Sequence, residues 1–227
     1  MTAVAMTEDH QSIYVFFGPI PADLQPDRIG QLSLLLSEDE QLRLGFMTRL
    51  KPRLHFLFGR LLLRKAFNLT GFDTFPDLSF SESGKAYLSG HPDFGISLSH
   101  SGNLAACVLA AGVQTGIDIQ EQVDTDLESY QSSLTAKEWD QIRHDPSPQQ
   151  AFYRLWARKE AVAKADGAGL GIPFESLEVL STPVDLDGNT WTWADLELPD
   201  GYCGAVAWGA GTVERQLRCE AIALIEG

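Results

Sequence analysis

The residues able to do chemistry fall in a few short runs. In Thr115-Gly116-Ile117-Asp118-Ile119-Gln120 an acid stands between isoleucines. Burying a carboxylate on an apolar strand is costly unless a metal, a cation or backbone donors compensate it. Strand alternation puts Asp118 and Gln120 on one face and the two isoleucines on the other. In F-Y-R-L-W-A-R-K-E-A-V-A-K at 152–164, Glu160 follows Trp156 by four residues and Lys164 follows Glu160 by four. All three therefore share a helical face at the edge of a core, where an acid and a base can meet a ligand. A structural aspartate and a surface ion pair, the latter worth little, would explain the same residues taken singly.

Ser99-His100-Ser101-Gly102 follows an apolar run. It contains no G-x-S-x-G elbow, and neighbouring strand residues point to opposite faces, so Ser99 and His100 are not a nucleophile–base pair. Hydroxyls, an imidazole and a glycine at a turn suit the gripping of a phosphate. Gly84-Lys85 sets a lysine on a tight turn. No Walker loop or dinucleotide fingerprint is present. An aspartate, a glutamate and an amide suit magnesium, which takes a few carboxylate oxygens plus waters and ligand phosphates. No cysteine or histidine spacing resembles a zinc site.

These groups need a framework, and 227 residues with 44% hydrophobic and 21% charged suffice for one large domain or two small lobes. Three cysteines (Cys107, Cys203 and Cys219) suggest no disulfide framework and fit a cytoplasmic setting. No apolar run reaches the roughly 18 residues that span a bilayer, and the first residues lack a basic region followed by an apolar stretch, so neither membrane nor secretory signal is expected. A net charge of −14 argues against nucleic-acid binding. The positive charge is concentrated: seven basic residues (Arg43, Arg49, Lys51, Arg53, Arg60, Arg64 and Lys65) lie within 23 positions, and no acid occurs from Gln41 to Phe72.

Strands are expected at 13–17, 94–99, 103–111, 116–119, 174–180, 190–197, 202–208 and 218–225. Ser37 before Glu38, Asp39 and Glu40 marks a helix start, Pro52 opens another helix over 53–68, and Thr135 caps a helix running to about His144. A long helix over 149–166 closes at Gly167 and Gly169. The strands at 103–111 turn back from 94–99 at Ser101-Gly102. GNLAACVLAAG at 102–112 resembles GYCGAVAWGAG at 201–211 without gaps, which suggests two similar halves.

In order and spacing, I-S-L-S-H-S-G at 96–102, G-I-D-I-Q at 116–120 and the 152–164 run resemble the 4'-phosphopantetheinyl transferases of the larger, two-lobed type, which activate synthase carrier proteins. The resemblance spans roughly residues 30–175; Gly84-Lys85 and G-A-G-L-G-I-P at 167–173 also match. It implies an α/β (α+β) fold of two similar lobes in a pseudo-two-fold arrangement around a cleft. The lobes are expected over residues 1–112 and 113–227. It implies that Asp118 and Glu160 hold magnesium against the pyrophosphate of coenzyme A, with Gln120 where a third carboxylate is usual. Lys164 would touch the same phosphates. Ser99 and His100 would bind the nucleotide end, helped by Lys85 and the basic 43–60 segment. Glu138 or Glu160 would be the base for a carrier serine attacking the β-phosphate, with 3',5'-ADP leaving. Two patterns depart: Ala86 replaces a proline, and His55 stands where an arginine is expected, so Arg53 or Arg49 would take over its task. The partner implied is an acyl-, polyketide- or peptidyl-carrier protein, and two lobes in one chain make a monomer sufficient. Two other functions remain open: a non-catalytic coenzyme A or carrier-binding homologue, which Gln120 would permit, and a magnesium-dependent phosphotransferase using another nucleotide.

Overall fold

The computed structural model describes residues 11–71, 75, 77–168, 171–211 and 214–224. The first sheet has the order β10-β1-β5-β4, formed by Gln216–Ala221, Ser12–Pro19, Leu104–Ala111 and Phe94–Ser101. The second has the order β6-β9-β8-β7, formed by Thr115–Glu121, Tyr202–Gly209, Asn189–Asp195 and Val184–Leu186. A small ribbon pairs β2 (Leu78–Phe80) with β3 (Ala86–Leu88). Pairing is antiparallel except between β1 and β10. Among the described residues five α-helices accompany the sheets: α1 (Pro26–Ser33), α2 (Glu38–Gly45), α3 (Leu50–Leu69), α4 (Ala136–His144) and α5 (Pro148–Asp166). None is long and apolar enough to cross a membrane.

Period-2 patterning in the strands makes four layers. One face of the first sheet (Phe16, Cys107, Leu109) packs on Leu57, Phe58, Leu61 and Leu62 of α3. Its other face (Ile13, Val15, Ala106, Val108) meets Ile117, Ile119 and Val206 of the second sheet. The far face of the second sheet (Cys203, Ala205, Ala207) carries Phe152, Leu155 and Val162 of α5. The expected echo falls on β5 and β9, each internal to its sheet and each entered through a positive-φ glycine, Gly102 at φ 53° and Gly201 at φ 85°.

Where β4 and β6 meet at the edges of the two sheets, serine side chains replace ladder hydrogen bonds. The Ile119 N–H donates to Ser99 Oγ at 3.2 Å and the Glu121 N–H to Ser101 Oγ at 2.9 Å. Unpaired edge donors are thereby satisfied across the junction. The division expected at residue 112 does not describe residues 216–221, because β10 crosses back to lie beside β1.

Several helix signals read true. Ser37 and Thr135 each form a complete capping box, and Gly167 closes α5 at φ 86°; Gly169 lies outside the described residues. Helix α3 begins at Leu50 rather than after Pro52, whose missing N–H falls among the orphan donors of the first turn. In the β4–β5 hairpin Ser101 still pairs with Leu104, so the turn residues are Gly102 and Asn103. The strand expected over 174–180 is absent and turns stand there. Its backbone is satisfied elsewhere: the Lys159 ammonium donates to the carbonyls of Phe174 (2.6 Å) and Leu177, and the Val179 N–H donates to Glu138 Oε1 at 2.9 Å.

Candidate active site

A cavity of about 710 Å³ opens between α3, the β2–β3 turn, β4 and α5. Its wall carries Lys85, Ser99, His100, Glu160 and Lys164, together with His55 and Arg60 from α3. Residues far apart in sequence, expected to act together, do reach one space.

The approach of α5 to β6 makes this possible. A Cβ at Gly116 would fall inside contact distance of the Ala161 carbonyl and the Ala165 amide, so only glycine lets the helix lie this close. Two residues on, Asp118 is 3% exposed and lies beneath Ser99 and Lys164. Asp118 Oδ1 accepts from Lys164 Nζ at 2.6 Å and from Ser99 Oγ at 3.0 Å, and Oδ2 accepts from Gln120 Nε2 at 2.7 Å. Lys164 Nζ also reaches Ser99 Oγ at 3.3 Å. The predicted shared face of Asp118 and Gln120 is thus observed. Gln120 itself borders a second cavity of about 280 Å³, and Trp156 borders both.

Glu160 is half-buried on the wall of the large cavity, one helical turn before Lys164. It makes no hydrogen bond or ion pair with another described residue. Burial, and next the charge of Asp118, raise its pKa above the usual carboxylate value, while Lys164 works the other way. Two carboxylates near a single ammonium, which is paired with Asp118 alone, are an incomplete charge arrangement that a further cation would complete.

The remaining cations rim the cavity. Lys85 donates to the Ala165 carbonyl and packs against Gly167; burial, partly offset by Asp166, lowers its pKa to about 8. Arg60, one of the seven clustered basic residues, is 7% exposed. It sits beside Glu40 (Nε to Oε1, 3.3 Å) and against the rings of Phe56 and Phe80. Arg49 is exposed at the N-cap of α3, and neither it nor Arg53 lines the cavity. The residue delivered there is His55, stacked on His100 with ring centroids 4.3 Å apart. Its place one turn before Gly59 and Arg60 was the available signal.

Glu138 is not brought to the cavity. It is 0% exposed, and its Oε2 lies 2.7 Å from Lys159 Nζ, which is also 0% exposed. The same oxygen accepts the Thr135 N–H at 2.9 Å, and Oε1 accepts from Val179. Both oxygens are committed to the framework, which removes Glu138 from among the candidate bases. No spacing or motif marks Lys159, adjacent to Glu160 in sequence, as the buried partner; burial lowers its pKa and Glu138 opposes that shift.

Magnesium fits this donor set. Among the described residues no three acidic, histidine or cysteine groups cluster as a self-sufficient metal site. Two carboxylates suffice for an ion that keeps waters and takes phosphate oxygens. Here the Lys164 ammonium is the cation paired with Asp118, at 2.6 Å.

Comparison with known proteins agrees with this geometry. The family model described as the 4'-phosphopantetheinyl transferase superfamily matches residues 114–196, which include Asp118, Glu160 and Lys164. The 4'-phosphopantetheinyl transferase HetI of Nostoc is 32% identical over 206 residues, covering 85% of this chain and 86% of that protein. The chain belongs to the 4'-phosphopantetheinyl transferase family. A Bacillus subtilis 4'-phosphopantetheinyl transferase is 31% identical over 151 residues, 64% of this chain and 63% of that protein. The L-aminoadipate-semialdehyde dehydrogenase-phosphopantetheinyl transferase of Xenopus laevis is 29% identical over 207 residues, 75% of this chain and 67% of that protein. With mouse the match spans 37% of the relative's length.

Proposed function

We propose that this transferase moves the 4'-phosphopantetheine arm of coenzyme A onto a serine of an apo acyl-, polyketide- or peptidyl-carrier protein, releasing 3',5'-ADP. The observation that carries the reading is the Asp118–Lys164–Ser99 cluster with Glu160 beside it, at the wall of a cavity rimmed by Lys85 and Arg60. That is a phosphate-binding space with an acidic floor. It suits a pyrophosphate accompanied by a divalent cation.

Asp118 and Glu160 would hold magnesium, and when bound the ion would offset negative charge on the pyrophosphate. Ser99 and Gln120 hold Asp118 from both sides, so its orientation is fixed before ligand arrives. Lys164 can pass from Asp118 to a phosphate oxygen without leaving the cavity. Its charge then stabilises the leaving bisphosphate. Glu160 is the proposed base. Of the two wall carboxylates, Glu160 and Glu175, it is the one set beside the Asp118–Lys164 cluster, where it could act through a magnesium-bound water. Lys85 and His100 would hold the nucleotide end. Exposed Leu42, Phe46 and Leu50 alternate with Arg43, Arg49 and Lys51, which gives the carrier an apolar contact with a basic rim. The chain needs no second copy for these groups to meet, which supports a monomer, and the reading is of a cytoplasmic enzyme.

Mass spectrometry of an apo carrier protein incubated with the enzyme, coenzyme A and magnesium tests the assignment. A mass gain of one phosphopantetheine arm is expected. Binding of coenzyme A without transfer would establish the non-catalytic homologue instead.

A further inference from the structure

The two sheets meet at β4 and β6, so each keeps one outer edge. In the second sheet that edge is β7, three residues long. In the first it is β10, six residues long with five of its side chains exposed. A short edge resists pairing with another chain, and a longer exposed one invites it.

The backbone of β10 is divided between two directions. The Gln216 N–H donates to the Gln11 carbonyl at 2.7 Å, and the Ile222 N–H donates to the Phe17 carbonyl at 2.8 Å. Even-numbered residues therefore turn toward β1, and Leu217, Cys219 and Ala221 turn their amides and carbonyls outward. No described strand lies there to receive them. An antiparallel copy of β10 would present the same three residues. Cys219 would then stand opposite Leu217, Cys219 or Ala221 of the copy, with each matched pair exchanging two hydrogen bonds.

The side chains decide among these registers. Arg218 and Glu220 share one face of the strand. The first register sets Arg218 against Arg218, and the third sets Glu220 against Glu220. The middle register alone sets Arg218 against Glu220, and the symmetry repeats the match. It does so at the closely spaced positions, where opposite charges gain and like charges cost. Among the described residues neither side chain has a salt bridge within the chain. Arg218 Nε donates to Ser12 Oγ at 3.0 Å, which leaves the other guanidinium N–H groups for a carboxylate.

We propose that two copies of this chain pair through β10 in an antiparallel, two-fold arrangement with Cys219 at the axis, joining their four-stranded sheets into one continuous sheet. Both sides use the same strand, so the contact closes at two chains. No residue of β10 lines either cavity, so each copy keeps its own active site and the single chain remains the catalytic unit. A strand pair of this size falls below the area of a permanent dimer, so pairing is weak and concentration-dependent. The net charge of −14 on each chain opposes it at long range, an effect screened beyond about 8 Å in 0.15 M salt.

Sedimentation velocity of the full chain in about 0.15 M salt, across the micromolar to millimolar range, reads the pairing. The mass should rise from one chain to two and stop. Arg218→Glu and Glu220→Arg each set like charges opposite one another, and each should weaken pairing at least about tenfold. The double variant Arg218→Glu/Glu220→Arg should pair as the parent does, and so should a mixture of the two single variants. Cys219→Pro removes an outward N–H and leaves the ladder to β1 intact, so it should abolish pairing in a chain that still melts cooperatively. A single-chain mass throughout, growth beyond two chains, a dimer indifferent to both charge reversals, or a double variant that stays unpaired would overturn the proposal.

Discussion

The Glu138 carboxylate and the Lys159 ammonium meet at 2.7 Å with neither side chain reaching solvent. Lys159 is adjacent in sequence to Glu160, so the pair locks the helix that carries Glu160 to the 174–179 segment. Removing one partner of such a pair leaves an uncompensated buried charge and costs about 3–5 kcal/mol. Glu138→Gln should lose stability of that order in urea unfolding. Turnover per folded molecule should change far less than it does in Glu160→Gln. A loss of turnover in Glu138→Gln as deep as in Glu160→Gln, at full folding, would restore Glu138 as the base.

Glu160→Gln should separate stability from activity. The folded-state pKa of Glu160 is raised above 4.5. Between that value and the raised one the native state binds more protons than the unfolded chain. The contribution of Glu160 is therefore full below about pH 4.5 and is lost as pH rises through the folded-state pKa. In chelator, the variant should melt above the parent at pH 7, with the gap closing in acid. Adding magnesium should raise the parent's melting temperature and not the variant's, and transfer should fall at least about a hundredfold.

Lys85 sets an alkaline limit on ligand affinity. Its pKa of about 8 in the free chain means that the ammonium is lost above that pH. A bound phosphate favours the charged form, so binding above pH 8 requires proton uptake. The Kd for coenzyme A should rise by up to about tenfold per pH unit above pH 8. Lys85→Gln should bind more weakly at pH 7 and show a flat profile from pH 8 to 9.5.

Gly116→Ala tests the close approach of α5 to β6. The new methyl would strike the Ala161 and Ala165 backbone, so the helix must retreat from the sheet. Overpacking of this kind costs about 1–3 kcal/mol. Because Glu160 and Lys164 move with the helix while Asp118 stays on the strand, activity should fall by about tenfold or more even at temperatures where the variant is fully folded.

How legible the site was depended on whether a side chain's role was local. Strand alternation placed Asp118 and Gln120 on one face, and helical spacing aligned Trp156, Glu160 and Lys164, because both patterns live within one element. The capping boxes at Ser37 and Thr135 were visible for the same reason. Glu138 carried two meanings. Its capping role was local, but its fate as a sealed ion pair depended on Lys159, 21 positions away. The apolar run at 174–180 has strand composition, yet its carbonyls and amide are claimed by Lys159 and Glu138, which no local pattern could announce. Helix α1 has a proline at its start but no capping side chain, and its signal was too faint to read. The basic segment was visible as charge alone. Which of its residues turn inward was settled by packing: Arg60 lies between Phe56 and Phe80, His55 lies on His100, and Arg49 stays outside.

The parallel pairing of β10 with β1 has a consequence for the birth of the molecule. During synthesis Ser12–Pro19 leaves the ribosome some 200 residues before its neighbour Gln216–Ala221. For most of translation the first sheet therefore has an open edge, its β1 amides and carbonyls facing water or a chaperone. Closing that edge requires the longest loop in the fold, and long-range pairings of this kind form late. The nascent chain can assemble β4, β5 and α3 early, but it completes the sheet that backs its active site only when its last strand has emerged.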